Sequence, residues 1–532
     1  MAAGEGALEP LSSFGPFDAL AEWAHRLYLD GYGERAVTAA REGLVLVEAA
    51  GDERTARYLQ FVCGVALHQL GRWSEASEEA GHLLRRLGPD ADPLWRAKAL
   101  ALLAEARVDL GMTALAMDHL AEGRMIVAGH PTGDYSHLSA TMSVALALRA
   151  LALYEPADEL MLQMLEAAYP SASVRLNVAQ EAAVLQVSWG AMLEIVGRAD
   201  EARPHYVVAL ERAARMRALA LDVGYPEMLA RAEVIEGYVL LRAGDLDLAE
   251  ARLRPAMAAF RLREELAETQ IARIGLALVL GQRGAFSAAE PLLADVVRSS
   301  STTQLDVWGL TALSAQGRNA VREQGPHTAV APLQTLVRTA LARLWEDRES
   351  RFESLQDRIR LRQMAQESDR LGRAALEDPV TGLGNRRRLQ QVLERPDRRF
   401  SAVFVALDRF KLVNDEQSHE VGDDVLRRFS KLLVQRCRGE DVVIRYGGDE
   451  FVVLLPAEAP AGGTDEGVDP MTVAERLLEA VREEPWSDLS RGLKLTASIG
   501  VSGPAPAAEA LSAADAACAA AKRAGRDRAV RA

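Results

Sequence analysis

The sequence predicts a multidomain chain, an all-α helical-repeat solenoid followed by an α+β domain with a central, mainly antiparallel sheet. Three observations carry this. A length of 532 residues exceeds what one hydrophobic core usually organises. From about residue 16 to 335 the chain is rich in Ala, Leu, Arg and Glu, and its apolar residues recur at helical spacing. After Pro379, stretches of strand character alternate with helical ones.

Within the helical region a turn glycine followed five residues later by alanine recurs at Gly31/Ala36, Gly71/Ala76, Gly111/Ala116, Gly197/Ala202, Gly244/Ala249 and Gly284/Ala289, with a degenerate copy near Ala152/Ala157. The small turn residue lets the chain reverse, and the alanine lets two helices approach, so each unit is a helix hairpin stacked on the next. The pattern resembles tetratricopeptide repeats, best in Leu70-Gly71-Arg72-Trp73-Ser74-Glu75-Ala76. The interval is about forty residues or more rather than thirty-four, which marks the units as divergent. The resemblance implies a concave surface for a protein or peptide partner that the sequence does not name. Residues 1–15 are expected to be a disordered N-terminus.

Residues 336–377 are expected to form a charged helical linker. Trp345, Phe352, Leu355 and Ile359 keep an approximately heptad stripe before Arg362 and Gln366 interrupt it. This fits a short two-stranded coiled coil or a solitary solvated helix joining two domains. At Asp378-Pro379 the proline disfavours helical geometry in the residue before it and ends the helix.

The formal charge of −14 and the pI of 5.3 leave no broad basic surface for phosphate backbones, so no nucleic acid partner is expected. Cys63, Cys437 and Cys518 lie far apart without metal-ligand spacing. That excludes a disulfide framework and a zinc site, and points to reducing cytoplasm. The start of the chain lacks a basic segment followed by an apolar core, and no apolar run approaches membrane-spanning length, so no direct membrane insertion is expected.

In the last domain, residues 378–532, Ala402 to Leu407 has the pattern of a buried strand and His419 to Arg436 that of a helix. Val442 to Arg445 and Phe451 to Leu455 form a hairpin around Gly447-Gly448, and Met471 to Val481 is a helix. Leu493 to Val501 is a further strand, and Leu511 to Ala524 the last helix. The order predicts helices over one face of the sheet. Pro456 to Pro470, rich in Ala, Gly and Pro, is expected to be a mobile insertion.

The hairpin turn carries the chemistry. Two glycines let backbone approach a phosphate closely and two carboxylates follow at once, a combination that suits Mg²⁺ with a nucleoside triphosphate. Alone, a Gly-Gly-Asp-Glu turn is more often an ordinary hairpin. Here the segment Arg445-Tyr446-Gly447-Gly448-Asp449-Glu450-Phe451 is joined by Asp378-Pro379-Val380-Thr381-Gly382-Leu383-Gly384-Asn385-Arg386-Arg387 upstream. Asp408-Arg409-Phe410-Lys411-Leu412-Val413-Asn414-Asp415 follows, with His419 and Gly422-Asp423, and Ala521-Lys522-Arg523-Ala524-Gly525-Arg526 closes the set. Together, in this order, these segments resemble the diguanylate cyclase, or GGDEF, family over about residues 378 to 530.

The resemblance implies an enzyme that condenses two GTP into cyclic di-GMP and two pyrophosphates, with Mg²⁺ or Mn²⁺ as cofactor and a homodimer supplying two half-sites. By it, Asn414 and Asp423 read the guanine edge, whose N–H donors suit a carboxylate and whose carbonyl suits an amide. Gly447 and Gly448 approach the phosphates, and Lys522 and Arg526, one helical turn apart, hold them. Asp449 and Glu450 bind metal and serve catalysis, with Asp408 as a further metal ligand. Arg438 and Asp441, ahead of the turn, match the family's inhibitory site for cyclic di-GMP, where the planar donors of arginine suit phosphate and guanine.

The chain departs from the family pattern at Ala406, where an aspartate is usual as a principal metal ligand. Positions 406 and 408 share a strand face but lie about 6.8 Å apart if fully extended, so Asp408 substitutes only if the strand end bends. Ser418 replaces a glycine and Ala519 a tyrosine. The loss at 406 keeps two other readings open: an impaired domain that senses cyclic di-GMP through Arg438 and Asp441, and a scaffold acting through its repeats.

Overall fold

The computed structural model describes residues 17–88, 92–130, 134–167, 169, 171–259, 266–299, 307–325, 327, 330–394, 398–457 and 469–532. The expected disorder over 1–15 and all but the ends of the Pro456–Pro470 insertion lie outside the described residues. The chain divides into two compact units, Met1–Leu361 and Arg362–Ala532. No helix among the described residues is long and apolar enough to cross a membrane.

The first unit is built from helix hairpins. These are α1 (Asp18–Leu29) with α2 (Gly33–Ala49), α3 (Glu53–Gln69) with α4 (Trp73–Arg86), α5 (Pro93–Asp109) with α6 (Thr113–Ala128), and α7 (Tyr135–Ala150) with α8 (Tyr154–Glu166). The longer pair α9 (Ala172–Ile195) and α10 (Ala199–Val223) follows, then α11 (Pro226–Ala243) with α12 (Leu246–Ala259) and α13 (Ala267–Gln282) with α14 (Phe286–Ser299). Helix α15 (Val307–Gln324) ends the array.

The repeat signature has a direct physical cause. Gly31, Gly71, Gly111, Gly197, Gly244 and Gly284 all turn in the left-handed region, and the alanine five residues after each is fully buried between the two helices. The degenerate copy obeys the same geometry, with Ala152 forced to φ 57° and Ala157 at 0% exposure. An L-residue in that region costs on the order of 1–2 kcal/mol. Ala152→Gly is therefore expected to stabilise the unit by about 1 kcal/mol, part of the relief being offset by the freer unfolded chain; a denaturation midpoint that fails to rise would remove the strain argument.

Helix α16 (Val330–Ala374) carries the chain from the first unit into the second. Its apolar stripe corrects the coiled-coil expectation. Trp345 and Leu355 are buried in the core of the hairpin array, and Phe352 and Ile359 pack against it. Trp345 stacks on Tyr154, which stacks on Trp189, with centroids 6.2 and 5.7 Å apart. Arg348 donates to Glu155 at 2.6 Å, and Arg358 pairs with Asp118. The stripe is consumed by its own chain, so it offers no seam to a second helix, and the unit boundary falls after Leu361 rather than at 335. Beyond that boundary Met364 and Leu371 stand exposed on α16.

The second unit has α17 (Arg386–Leu393), β1 (Arg399–Leu407), α18 (Phe410–Glu416), α19 (His419–Arg436), β2 (Val442–Gly447) and β3 (Glu450–Pro456). It continues with α20 (Pro470–Glu483), β4 (Ala497–Val501), β5 (Ala505–Pro506), α21 (Ala507–Arg523) and β6 (Arg528–Arg531). The sheet runs β2-β3-β1-β4-β6 with β5 also paired to β1. Only β4 and β6 pair in parallel, so the sheet is mainly antiparallel as expected.

Helices cover both faces of this sheet, not one. Val403, Val405 and Leu407 pack with Phe429 of α19 and Leu477 of α20, whereas Phe400, Ala402, Phe404 and Ala406 pack with Leu389 of α17 and Ala514 of α21. The run Phe400–Leu407 is buried throughout, which is how a strand covered on two sides reads. The second layer is hard to see in sequence because α21 packs through alanines. A Cβ added at Gly500 would lie 2.0 Å from Ala514 O, so the helix backbone rests directly on β4.

Candidate active site

The tip between β2 and β3 is a two-residue turn, Gly448-Asp449, with Gly448 at φ 46°. A register shift between Arg445 and Gly447 bulges β2 just before it, a device that re-aims residues near functional sites. Arg445 then straps the turn down. Its Nε and Nη2 donate to Gly448 O at 3.1 and 2.8 Å, and its Nη1 donates to Asp378 Oδ1 at 2.9 Å. Asp378 also accepts from Thr381 N and Oγ1 at 2.9 and 2.7 Å. Burial works to raise the Asp378 carboxyl, but the hydrogen bonds from Thr381 and Arg445 together hold it below the usual carboxylate range.

The opening motif thus acts as an anchor. Gly384 accepts from Arg445 N at 2.8 Å and donates to Val443 O at 3.1 Å. A Cβ at Gly384 would meet Ile444 Cδ1 at 2.4 Å, so only glycine permits this approach to β2. The structural roles of Asp378, Thr381 and Arg445 were not inferred from the sequence. Their presence inside the quoted motifs was the available signal.

Glu450 opens β3 directly opposite Ala406 of β1, and Leu407 N donates to Asp449 O at 3.1 Å. Across the sheet end, Lys522 Nζ lies 3.6 Å from Glu450 Oε1, with both side chains a little over one-third exposed. Glu450 and Lys522 therefore converge, with Asp449 next to Glu450 in the turn. Ala406 is fully buried on the α21 face, paired with Glu450 on one side and Ser498 on the other, and contributes no side-chain oxygen.

Asp408 is occupied differently from its expected place among metal ligands. The strand ends at Leu407, and Asp408 Oδ1 accepts from Ser498 Oγ at 2.6 Å while Oδ2 accepts from Thr496 Oγ1 at 2.7 Å and Asp527 N at 3.0 Å. It ties β1 to β4 and to the turn after α21. Arg409 at φ 57°, and Arg526 and Asp527 at 66° and 45°, are left-handed non-glycine residues meeting around this carboxylate. Such backbone costs on the order of 1–3 kcal/mol per residue and persists where surrounding bonds over-determine it.

Arg526 also corrects the expected spacing. Helix α21 stops at Arg523 and Gly525 turns at φ 111°, so Lys522 and Arg526 do not share a helical face. They approach the same corner separately, Arg526 Nε lying 4.0 Å from Asp408 Oδ1.

The segment leaving β1 carries the remaining expected contacts. Asn414 on α18 lies against Gly422, where a Cβ would fall 1.9 Å from Asn414 Oδ1. Asp423 follows on α19, its carboxylate 4.0 Å from Arg427. Ser418, in place of the usual glycine, caps α19 by accepting from Val421 N at 3.2 Å. Arg438 and Asp441 share a turn before β2, with Arg438 N donating to Asp441 Oδ2 at 2.7 Å. Burial raises the Asp441 carboxyl, and the Arg438 N–H only partly opposes it. Gly447 and Gly448 are both exposed at the tip.

Among the described residues no three His, Cys, Asp or Glu side chains are grouped to hold a metal by themselves. The donor set fits a divalent ion that arrives with phosphates, since Mg²⁺ is commonly held by one or two carboxylates plus substrate oxygens.

Comparison with known proteins places the C-terminal unit in one family. The model of the diguanylate cyclase GGDEF domain family matches residues 375–528. Response regulator PleD of Caulobacter vibrioides is 38% identical over 141 residues, which cover 25% of this chain and 29% of PleD. Diguanylate cyclase DgcP of Pseudomonas aeruginosa is 38% identical over 164 residues, 29% of this chain and 23% of DgcP. The chain thus spans less than a third of either relative. The solved GGDEF domain of YfiN from Pseudomonas aeruginosa is 31% identical, covering 29% of this chain and 94% of that one, with a TM-score of 0.25. Behind its N-terminal helical repeats, then, this chain carries at residues 375–528 a domain that belongs to the GGDEF family of diguanylate cyclases.

Proposed function

We propose that the protein is a diguanylate cyclase that joins two GTP molecules into cyclic di-GMP in the cytoplasm and is regulated through its helical repeats. The observation that carries this reading is the approach of Lys522 to Glu450 across a turn strapped in place by Arg445. That corner offers a cation for phosphate oxygens beside carboxylates for the ion that accompanies them.

In this reading Lys522 and Arg526 hold the triphosphate, Asn414 and Asp423 select guanine, and the glycine turn lets the phosphates come close. Glu450, with Asp449, holds Mg²⁺ or Mn²⁺, which when bound neutralises charge developing on the phosphates. Each 3′-oxygen bonds to the α-phosphorus of the other nucleotide, the bond from that phosphorus to pyrophosphate breaks, and the hydroxyl proton leaves to solvent. In this reading Glu450 relays that proton to solvent. One copy binds one GTP, so ring closure needs a second copy, and Met364 and Leu371, exposed at 64 and 59% on α16, give a surface through which two chains can meet.

A second reading rests on Ala406. With no carboxylate at that position, the domain would act as a cyclic di-GMP receptor, gripping it through Arg438 and Asp441. Incubating the full chain with GTP and Mg²⁺ and separating the products decides between them. Cyclic di-GMP with two pyrophosphates supports the enzyme. No product, together with cyclic di-GMP binding that Arg438→Ala abolishes, supports the receptor.

A further inference from the structure

The first helix of each of the seven hairpins, α1, α3, α5, α7, α9, α11 and α13, faces a shared interior, and together they line a cavity of 380 Å³. That volume lies within the range of small-molecule sites, roughly 300–1,000 Å³. The array shuts around it. Arg231 Nη2 donates to Leu29 O at 2.6 Å, Leu266 packs against Gly31, and Gln180 Nε2 donates to Glu268 Oε1 at 2.7 Å.

The lining is more apolar than polar, and its charged groups are unbalanced, with six carboxylates against three guanidinium groups and the His68 imidazole, which burial lowers but a hydrogen bond to Asp109, itself outside the lining, and the charges of Glu105 and Asp109 together raise by more. Two of those guanidiniums are committed internally, Arg149 to Glu181 at 2.9 Å and Arg231 to Leu29 O and Gln180. His25 adds no positive charge, because burial and then Lys98 pull it down to about 3. Glu22 Oε1 is buried without a hydrogen-bonding partner among the described residues. Burial pushes the Glu105 carboxyl up, with Asp109 and Glu181 adding to it and His68 and Arg149 only partly opposing it. The same wall already hosts an ammonium: Lys98 Nζ sits 4.2 Å from the ring of Phe61, a cavity residue, and 4.0 Å from that of Trp95. Burial draws Lys98 down to about 7, so around and above neutral pH it opposes a second cation only in part.

We propose that this interior is a binding site for a small amphiphilic cation, a protonated amine carried on an apolar or aromatic body. The amine satisfies the surplus of carboxylates, including Glu22 and Glu105, and the body fills the apolar remainder. A carboxylate of equal shape meets uncompensated negative charge and is refused.

Calorimetric titration of the full chain at pH 7.5 with 2-phenylethylamine and, separately, 3-phenylpropionate tests this. The amine is expected to bind one per chain and at least ten times more tightly than the acid. Glu105→Gln, nearly isosteric, should weaken the amine tenfold or more, and Ser143→Trp, which fills the space, should abolish binding in a chain whose circular dichroism is unchanged. Equal affinity for the acid, no heat from the amine at millimolar concentration, or amine binding untouched by Glu105→Gln overturns the proposal.

Discussion

The Ala406→Asp protein should form cyclic di-GMP from GTP and Mg²⁺ roughly ten to a hundred times faster than the natural chain, the scale expected when one missing group that stabilises transition-state charge is restored. Position 406 lies beside Glu450 in the sheet register and faces α21, from which Lys522 reaches the same corner. A carboxylate there joins Glu450 around the same ion. It also sits at a fully buried position, so without metal it should cost stability, about 1–3 kcal/mol for a polar group lacking a partner. Two measurements follow: the rate of product formation rises, and the melting temperature falls without Mg²⁺ and GTP but recovers with them. An unchanged rate would show that position 406 does not face the metal.

Arg445→Met should destabilise the C-terminal unit by about 3 kcal/mol, at the low end of the 3–5 kcal/mol typical for breaking a buried ion pair. The low end applies because Arg445 and Asp378 retain 13 and 17% exposure. The substitution strands the Asp378 carboxylate and frees Gly448 O at the tip, so activity should fall with stability. The pair also sets an acid limb. Asp378 has a folded-state acid constant below its ordinary value of 3.8, so its stabilisation is complete above that pH and is lost as pH falls through the depressed value. Acid unfolding of Asp378→Asn followed below about pH 4 should therefore lack the part of the slope due to this carboxylate. Identical acid transitions in the two proteins would contradict the assignment.

Much of the fold is visible in local pattern. The turn residue and buried alanine mark each hairpin because both demands, left-handed backbone and close helix approach, act within five residues. Even the degenerate copy at Ala152 obeys them. Helix α19 begins and ends at the expected His419 and Arg436, since Ser418 caps it locally. Other positions needed partners far along the chain. Whether Trp345 and Leu355 served a second helix or their own repeats depended on Tyr154 and Trp189, well over a hundred residues earlier. Arg526 left the helical face because Gly525 turned, and the turn after it is held by Asp408, just past the end of β1, which accepts from Asp527 N.

The sequence by itself determined the family of the last domain, the hairpin repeat, and the identities of the charged groups at the turn, because those are carried by residue type at short spacing. Tertiary structure alone decided that Asp408 is a tie bound by Ser498, Thr496 and Asp527, that Arg445 clamps the turn to Asp378, and that the repeats close around an acid-rich cavity. The physical reason is range. Backbone conformation answers to neighbours a few residues away, whereas the partner of a buried carboxylate or an apolar stripe is fixed only when distant segments compete for it in three dimensions.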